Sequence, residues 1–149
     1  MNPWQKIAVF CWLVVWRRIL TSKNLRKRGT HGPSRCPLCH LSEESSGHLL
    51  DNCSFSSFLW DRGAMIFRRS NRVRGHPDQT IKEWNTGSFS NPIILTLWQM
   101  FPEMVLWNVW KERNNRIFRD EKHDSEETWR KLVTNMQEMI RSIMWGDKD

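Results

Sequence analysis

Cys36, Cys39, His48 and Cys53 follow one another as Cys-x2-Cys-x8-His-x4-Cys, the most chemically specific arrangement in the chain. Two residues between the first pair let both sulfurs reach one ion through a tight knuckle, and Pro37 restricts the backbone there. His48 and Cys53 supply a second pair from an adjoining short element, so nitrogen and sulfur ligands can close a tetrahedron as they do in structural zinc sites. A filled shell leaves no position for water or substrate, which points to a structural Zn2+ and not a catalytic one. The competing reading is a set of reduced cysteines, or a disulfide framework in a secreted protein. Three cysteines fall within eighteen residues that offer hardly any apolar support, and no signal peptide is evident, so the metal is favoured. His31 and His40 are alternative nitrogen donors, but His40 adjoins Cys39 and His31 precedes the knuckle. Cys11 lies in an apolar run and reads as core.

The knuckle needs elements to hold it, and those are helical; strand alternation is almost absent. The run Ile7 to Trp16 is apolar on most faces, with Trp4, Ile7, Cys11 and Val14 at helical spacing, and should be covered nearly all round. A short helix follows, with Thr21 as N-cap, Leu20 and Leu25 at the staple positions and Gly29 as the stop. Ser54 or Ser56 should cap a helix through Phe55, Phe58, Leu59, Trp60 and Ile66. Asn91 and Pro92 open another bearing Ile94, Leu97, Trp98 and Phe101, which Pro102 should kink or interrupt before it resumes through Val105, Leu106, Val109, Trp110 and Phe118. Asp124 with Glu127 starts the last helix, whose stripe of Trp129, Leu132, Val133, Met136, Ile140, Ile143 and Met144 reads as ordinary core; Gly146 ends it. The expected architecture is mainly α: a small helical zinc-knuckle module over residues 1–66, an arginine-rich loop or linker over 67–90 with at most a short helix near Trp84, and a C-terminal helical segment over 91–149.

Composition narrows the function. In 149 residues there are ten Trp and seven Phe, enough for a core, and the longest apolar run has ten residues between Lys6 and Arg17, short of the ~20 that a spanning helix requires. No cleavage site follows that run, so an intracellular protein of nucleus or cytoplasm, neither secreted nor membrane-bound, is expected. Net charge is +7 and uneven: residues 1–35 carry Lys6, Arg17, Arg18, Lys23, Arg26, Lys27, Arg28 and Arg35 with no acid, whereas residues 111–149 hold both signs equally. A polyanion suits the N-terminal third. The segment Lys111-Glu112-Arg113-Asn114 reads as a solvated helix end, and Glu44 as a hydrogen-bonding residue of a helix start or of the knuckle.

These residues resemble the zinc-binding domain found downstream of the reverse transcriptase in plant LINE-type (non-LTR) retrotransposons. The likeness runs through Pro3, Lys6, Phe10, Trp12, Thr21, Leu25, Arg28 and Gly29, then Cys36-Pro-Leu-Cys39, Glu44, His48-Leu49-Leu50, Cys53, Phe55 and Trp60. A second block, Trp107-Asn-Val-Trp110-Lys-Glu-Arg113-Asn114 with Ile117-Phe118, resembles a segment that commonly follows. Trp4-Gln5 departs from the family by separating Pro3 from Lys6 by two residues in place of one. The resemblance implies assistance in template or target handling by a polymerase, in a chain that looks like a fragment or degenerate copy.

The expected function is therefore a non-enzymatic zinc-stabilised module. Arg17, Arg18, Lys23, Arg26, Lys27, Arg28 and Arg35 would neutralise RNA or DNA phosphates without reading sequence. A reverse transcriptase partner or self-association is the further expectation. The alternative is a helical protein-interaction or dimerisation module using Trp107, Trp110 and the last helix's stripe. No Gly-rich phosphate loop is present, no Ser or Cys nucleophile has a specified base, and the acids Glu43, Glu44, Asp51, Glu126 and Glu127 fall in loop or capping contexts, so no catalytic residue is expected.

Overall fold

The computed structural model describes residues 1–29, 35–69 and 76–146. His31 and the Arg72, Arg74 and Gly75 of the arginine-rich stretch lie outside the described residues. Among the described residues six α-helices form: α1 Pro3–Val15, α2 Ser22–Lys27, α3 Ser54–Ile66, α4 Pro77–Trp84, α5 Pro92–Phe118 and α6 Ser125–Trp145, with a π-helical turn at His48–Asn52 ahead of α3. Among the described residues the β structure is limited to an isolated antiparallel bridge between Arg35 and Glu43. No helix among them is long and apolar enough to cross a membrane.

Helix starts follow local chemistry. Asn2 and Gln5 form a reciprocal capping box with Pro3 at the first position of α1. Asn91 caps α5 ahead of Pro92, and Asp124 caps α6 by accepting from the Glu127 N–H at 2.8 Å. The start of α3 departs from expectation: Cys53 occupies the cap position, and Ser54 and Ser56 lie inside the helix. Ser56 instead donates its hydroxyl to the Cys53 carbonyl at 3.1 Å.

Helix α5 is the spine against which α1, α3, α4, α6 and the π-turn all pack. It runs through Pro102 without interruption. Proline removes the N–H that would bond the carbonyl four residues back, here Trp98. The indole N–H of Trp84 takes its place, donating to that carbonyl at 2.8 Å. Trp98 returns the bond, its indole N–H reaching the Trp84 carbonyl at the end of α4 at 2.6 Å, and the two rings stack at 3.9 Å and 14°. The carbonyl orphaned by Pro102 and two buried indole donors are thus satisfied in one stacked pair, the Trp84 carbonyl also accepting from the Gly87 N–H at 3.2 Å. Phe101 and Trp60 pack on the same wall, and Gly63 is where α3 crosses it: a Cβ there would lie 2.1 Å from the Phe101 ring. Buried Asp51 accepts from the Thr80 hydroxyl at 2.9 Å and joins the π-turn to α4.

Helix α1 buries Ile7, Phe10 and Val14, with Phe10 between Trp107 and Trp110 of α5. Contrary to expectation it is covered on one side only: Val9, Trp12, Val15 and Trp16 are exposed. An apolar sequence does not create the neighbour that would cover it, and α4 and α5 supply one flank. The stripe of α6 divides likewise. Leu132 and Met136 are buried, whereas Ile143 and Met144 are exposed, as is Trp145 beside them.

Candidate metal centre

The knuckle is set by backbone bonds. Cys36 donates its N–H to the Ser42 carbonyl at 2.7 Å, and His40 donates to the Cys36 carbonyl at 2.8 Å, closing the turn over Pro37 and Leu38. His40 takes up the reversal with φ 59°, and the Leu41 N–H points at the Cys39 sulfur, 3.5 Å away. The second pair comes from the π-turn, where the Cys53 N–H reaches back five residues to the His48 carbonyl at 2.7 Å. That single wide turn explains the x4 spacing: it brings the ligand at its start and the ligand at its end to one side.

The four donor atoms lie within 4.8 Å of one another, with Cys36 and Cys53 buried and Cys39 and His48 half-buried. The Cys36 and Cys53 sulfurs are 3.9 Å apart, close to the edge of about 3.8 Å that two sulfurs bound tetrahedrally to one zinc would span. Cys39 Sγ and His48 Nε2 are 3.2 Å apart. Burial lowers the His48 pKa, although Glu44 opposes this, so the imidazole is neutral and its nitrogen lone pair is available. The hydrogen bond between Cys36 and Cys53 holds Cys53 below the ordinary thiol range and pushes Cys36 above it. Of the two sulfurs, Cys53 is thereby the one that gives up its proton more readily. Cys11 is apart from the cluster, and burial together with Glu103 pushes its thiol up to about 12. His40 is exposed and outside the cluster.

A second ring of interactions locks the knuckle to α5; Glu44 takes the helix-start role read for it, whereas its partners on α5 were missed. Glu44 is fully buried. Its Oε1 accepts from the Ser22 N–H at 2.7 Å, and its own carbonyl accepts from the Lys23 N–H at 3.2 Å. With Thr21 taking the Asn24 N–H at 3.3 Å, the first turn of α2 is satisfied. A six-residue helix is marginal alone, so its placement depends on these partners. Arg113 grips both Glu44 oxygens, Nε to Oε2 and Nη2 to Oε1 at 2.9 Å each, and also donates to the Leu20 carbonyl at 3.2 Å. Three residues on, Arg116 donates to the knuckle carbonyls of Pro37 and Leu38 at 3.1 and 3.2 Å. Glu112 holds Arg116 at 3.0 Å and receives both the backbone N–H and Nδ1 of His123 at 2.8 and 2.9 Å. The segment expected to be a solvated helix end is therefore corrected: Glu112 and Arg113 are buried. Charge mixture alone suggested solvent; the pairing of Arg113 with an acid 69 positions away reversed it. The i,i+4 spacing of Glu112 and Arg116 was the available signal for part of this network.

The seven basic residues singled out above are all exposed. They do not form one uniform patch. Arg26 is paired with Glu43, and Arg17 sits 3.8 Å from Asp78. Arg17, Arg18, Lys27 and Arg28 converge with Asn24 around a cavity of about 190 Å³.

Fold and ligand set together define a helical zinc-knuckle protein. Residues 2–60, less than half of the chain, match the family described as zinc-binding in reverse transcriptase. Over that range the protein is similar to a reverse transcriptase zinc-binding domain, and Cys36, Cys39, His48 and Cys53 are positioned to bind the metal. No curated protein and no solved structure matches the chain. The matched range stops before α5, yet Arg113 and Arg116 on that helix complete the surroundings of the knuckle.

Proposed function

We propose that the protein is a non-enzymatic accessory module of LINE-type retrotransposon origin, in which structural zinc holds a basic surface for contact with RNA or DNA beside a reverse transcriptase. The observation that carries this reading is the capping of α2 by Glu44: the helix bearing Lys23, Arg26, Lys27 and Arg28 is anchored to the chain between Cys39 and His48, so ordering the knuckle orders the cations. Phosphate contacts of this type give affinity without base reading and a strong salt dependence, with log K falling by roughly 0.9 per phosphate neutralised per decade of salt on duplex DNA. Binding of labelled RNA and DNA to the zinc-loaded chain across a salt series tests it. Measurable binding at low salt that weakens steeply with added salt is expected; no binding at low salt, or binding indifferent to salt, overturns it.

A second reading has its own support. Ile143, Met144 and Trp145 leave an apolar end on α6, with Trp145 73 % exposed, which suits a protein contact or self-association. Light scattering of the full chain and of Trp145→Ser tests it: a dimer abolished by the substitution is expected, and a monomer at high concentration removes the self-association form.

A further inference from the structure

We propose that Trp12 and Trp16 are a stacking platform for the bases of an unpaired strand whose backbone is held by the cavity lined with Arg17, Arg18, Lys27 and Arg28. This rests on the nucleic-acid reading above and specifies the substrate as single-stranded.

Two independent features meet here. The first is aromatic: Trp12 and Trp16 stand one turn apart on the outer side of α1, each 60 % exposed, with ring centroids 6.1 Å apart and planes tilted at 51°. Phe10, Trp60, Trp84, Trp98 and Phe101 are buried, whereas these two planes, like Trp145 on α6, are left to water. The second is electrostatic. Directly after Trp16 the chain reverses at Arg17, with φ 56°, and the Asn24 side-chain amide holds the turn by donating to the carbonyls of Arg17 and Ile19 at 3.1 and 2.8 Å. That turn folds α2 back so that Lys27 and Arg28 face Arg17 and Arg18. Four cations then line one small cavity with no acid among the described residues of its wall; the Asp78 carboxylate, held mainly by His76 at 2.7 Å, lies 3.8 Å from Arg17. Like charges gathered this closely repel, and an anion in the cavity relieves the repulsion.

Charge and planes are contiguous in the chain, because Trp16 precedes Arg17. In this proposal the base lies on an indole and the phosphates are held by the cations that follow it in the chain. Stacking tolerates every base, since each has a π-face, but it needs a face that is not already covered; within a duplex the bases cover one another. The combination of indole planes with a cationic pocket therefore favours unpaired RNA or DNA over duplex. A protein occupant would find apolar surface here, but it would also have to supply several carboxylates at the pocket.

The test uses the full zinc-loaded chain, fluorescein-labelled oligo-dA and oligo-U, and a DNA duplex of matched length. The Trp12→Ala, Trp16→Ala double variant alters exposed side chains only, and its zinc content and helical circular dichroism should equal those of the parent. Its affinity for both single strands is expected to fall by roughly tenfold or more, with duplex binding and the salt slope unchanged. The Lys27→Gln, Arg28→Gln double variant should weaken every probe and reduce the salt slope by about two. If the tryptophan variant binds single strands as tightly as the parent, the platform is refuted while the broader nucleic-acid reading stands. If the parent binds no probe at low salt, both fail. If the tryptophan substitutions abolish self-association and leave strand binding intact, the face belongs to a protein contact and the proposal is overturned.

Discussion

The knuckle and the aromatic wall are held together by different physics, although α5 runs through both. Around the knuckle, beside buried Leu38, Leu49 and Leu50, lie the buried Cys36 and Cys53, the half-buried Cys39 and His48, and buried Glu44, Arg113 and Glu112, so ligand geometry and hydrogen-bonded charge add to apolar packing. Around Pro102 the buried groups are Trp60, Trp84, Trp98 and Phe101, and order depends on apolar area and ring packing. The contrast teaches that one chain can order neighbouring regions by different means, with ligand geometry and ion pairing added to apolar packing in one of them.

The largest break in that contrast should come from the metal. Stripping zinc with a chelator, or Cys53→Ser, is expected to release one zinc per chain by native mass spectrometry and to remove amide protection over residues 35–53. Structural zinc carries on the order of 10 kcal/mol of folding free energy in small modules, so the local loss should be complete. The wall should survive, with slow exchange retained around Trp98 and Phe101; simultaneous melting of both regions would contradict the division.

Next comes the charge lock. Arg113→Met leaves Glu44 buried without its partner, at a cost of about 3–5 kcal/mol in denaturant unfolding. Zinc affinity should fall with it, because α2 and the knuckle lose their hold on α5. Adding Glu44→Gln should recover part of the stability, and a double variant as unstable as the sum of the singles would argue against coupling. Phe101→Ala, in the wall, should cost a similar 3 to 5 kcal/mol yet leave zinc affinity unchanged, which separates the two regions most sharply.

Smaller effects sharpen it further. Gly63→Ala forces a methyl into the Phe101 ring and should destabilise by about 1–3 kcal/mol, again without touching the metal. The smallest concerns pH. Burial raises the Glu103 pKa above its ordinary 4.5, so its proton is held more tightly in the folded protein. The contribution is therefore fully present below the unfolded value and is lost as pH rises through the raised folded one. Glu103→Gln should accordingly flatten the thermal midpoint against pH from about 4.5 upward, and an unchanged profile would show that the carboxyl is better solvated than its position implies.

Much of the site was readable in advance. Cys36, Cys39, His48 and Cys53 converge, because ligand spacing is a local property that a turn can satisfy by itself. Thr21, Asn91, Asp124 and the positive φ of Gly29 punctuate helices as their side chains require, for the same reason. Three features were not readable, and each depends on a distant neighbour. Pro102 was expected to kink or interrupt α5; the helix is not interrupted, and the Trp84 indole donates to the carbonyl that the proline leaves without its backbone donor. Glu112 and Arg113 read as solvated until Glu44 and His123 were found against them. The run Ile7 to Trp16 read as covered nearly all round, whereas Trp12 and Trp16 are exposed.

Residue types at short range thus settled where helices begin, which four atoms can share an ion and where positive charge collects, since each of these needs only a few neighbouring residues. Which carboxylate meets Arg113, which carbonyl is left for an indole and which indoles stay in water were decided by packing. Those outcomes turn on surfaces brought together from 14 to 69 positions apart, and no local pattern carries that information.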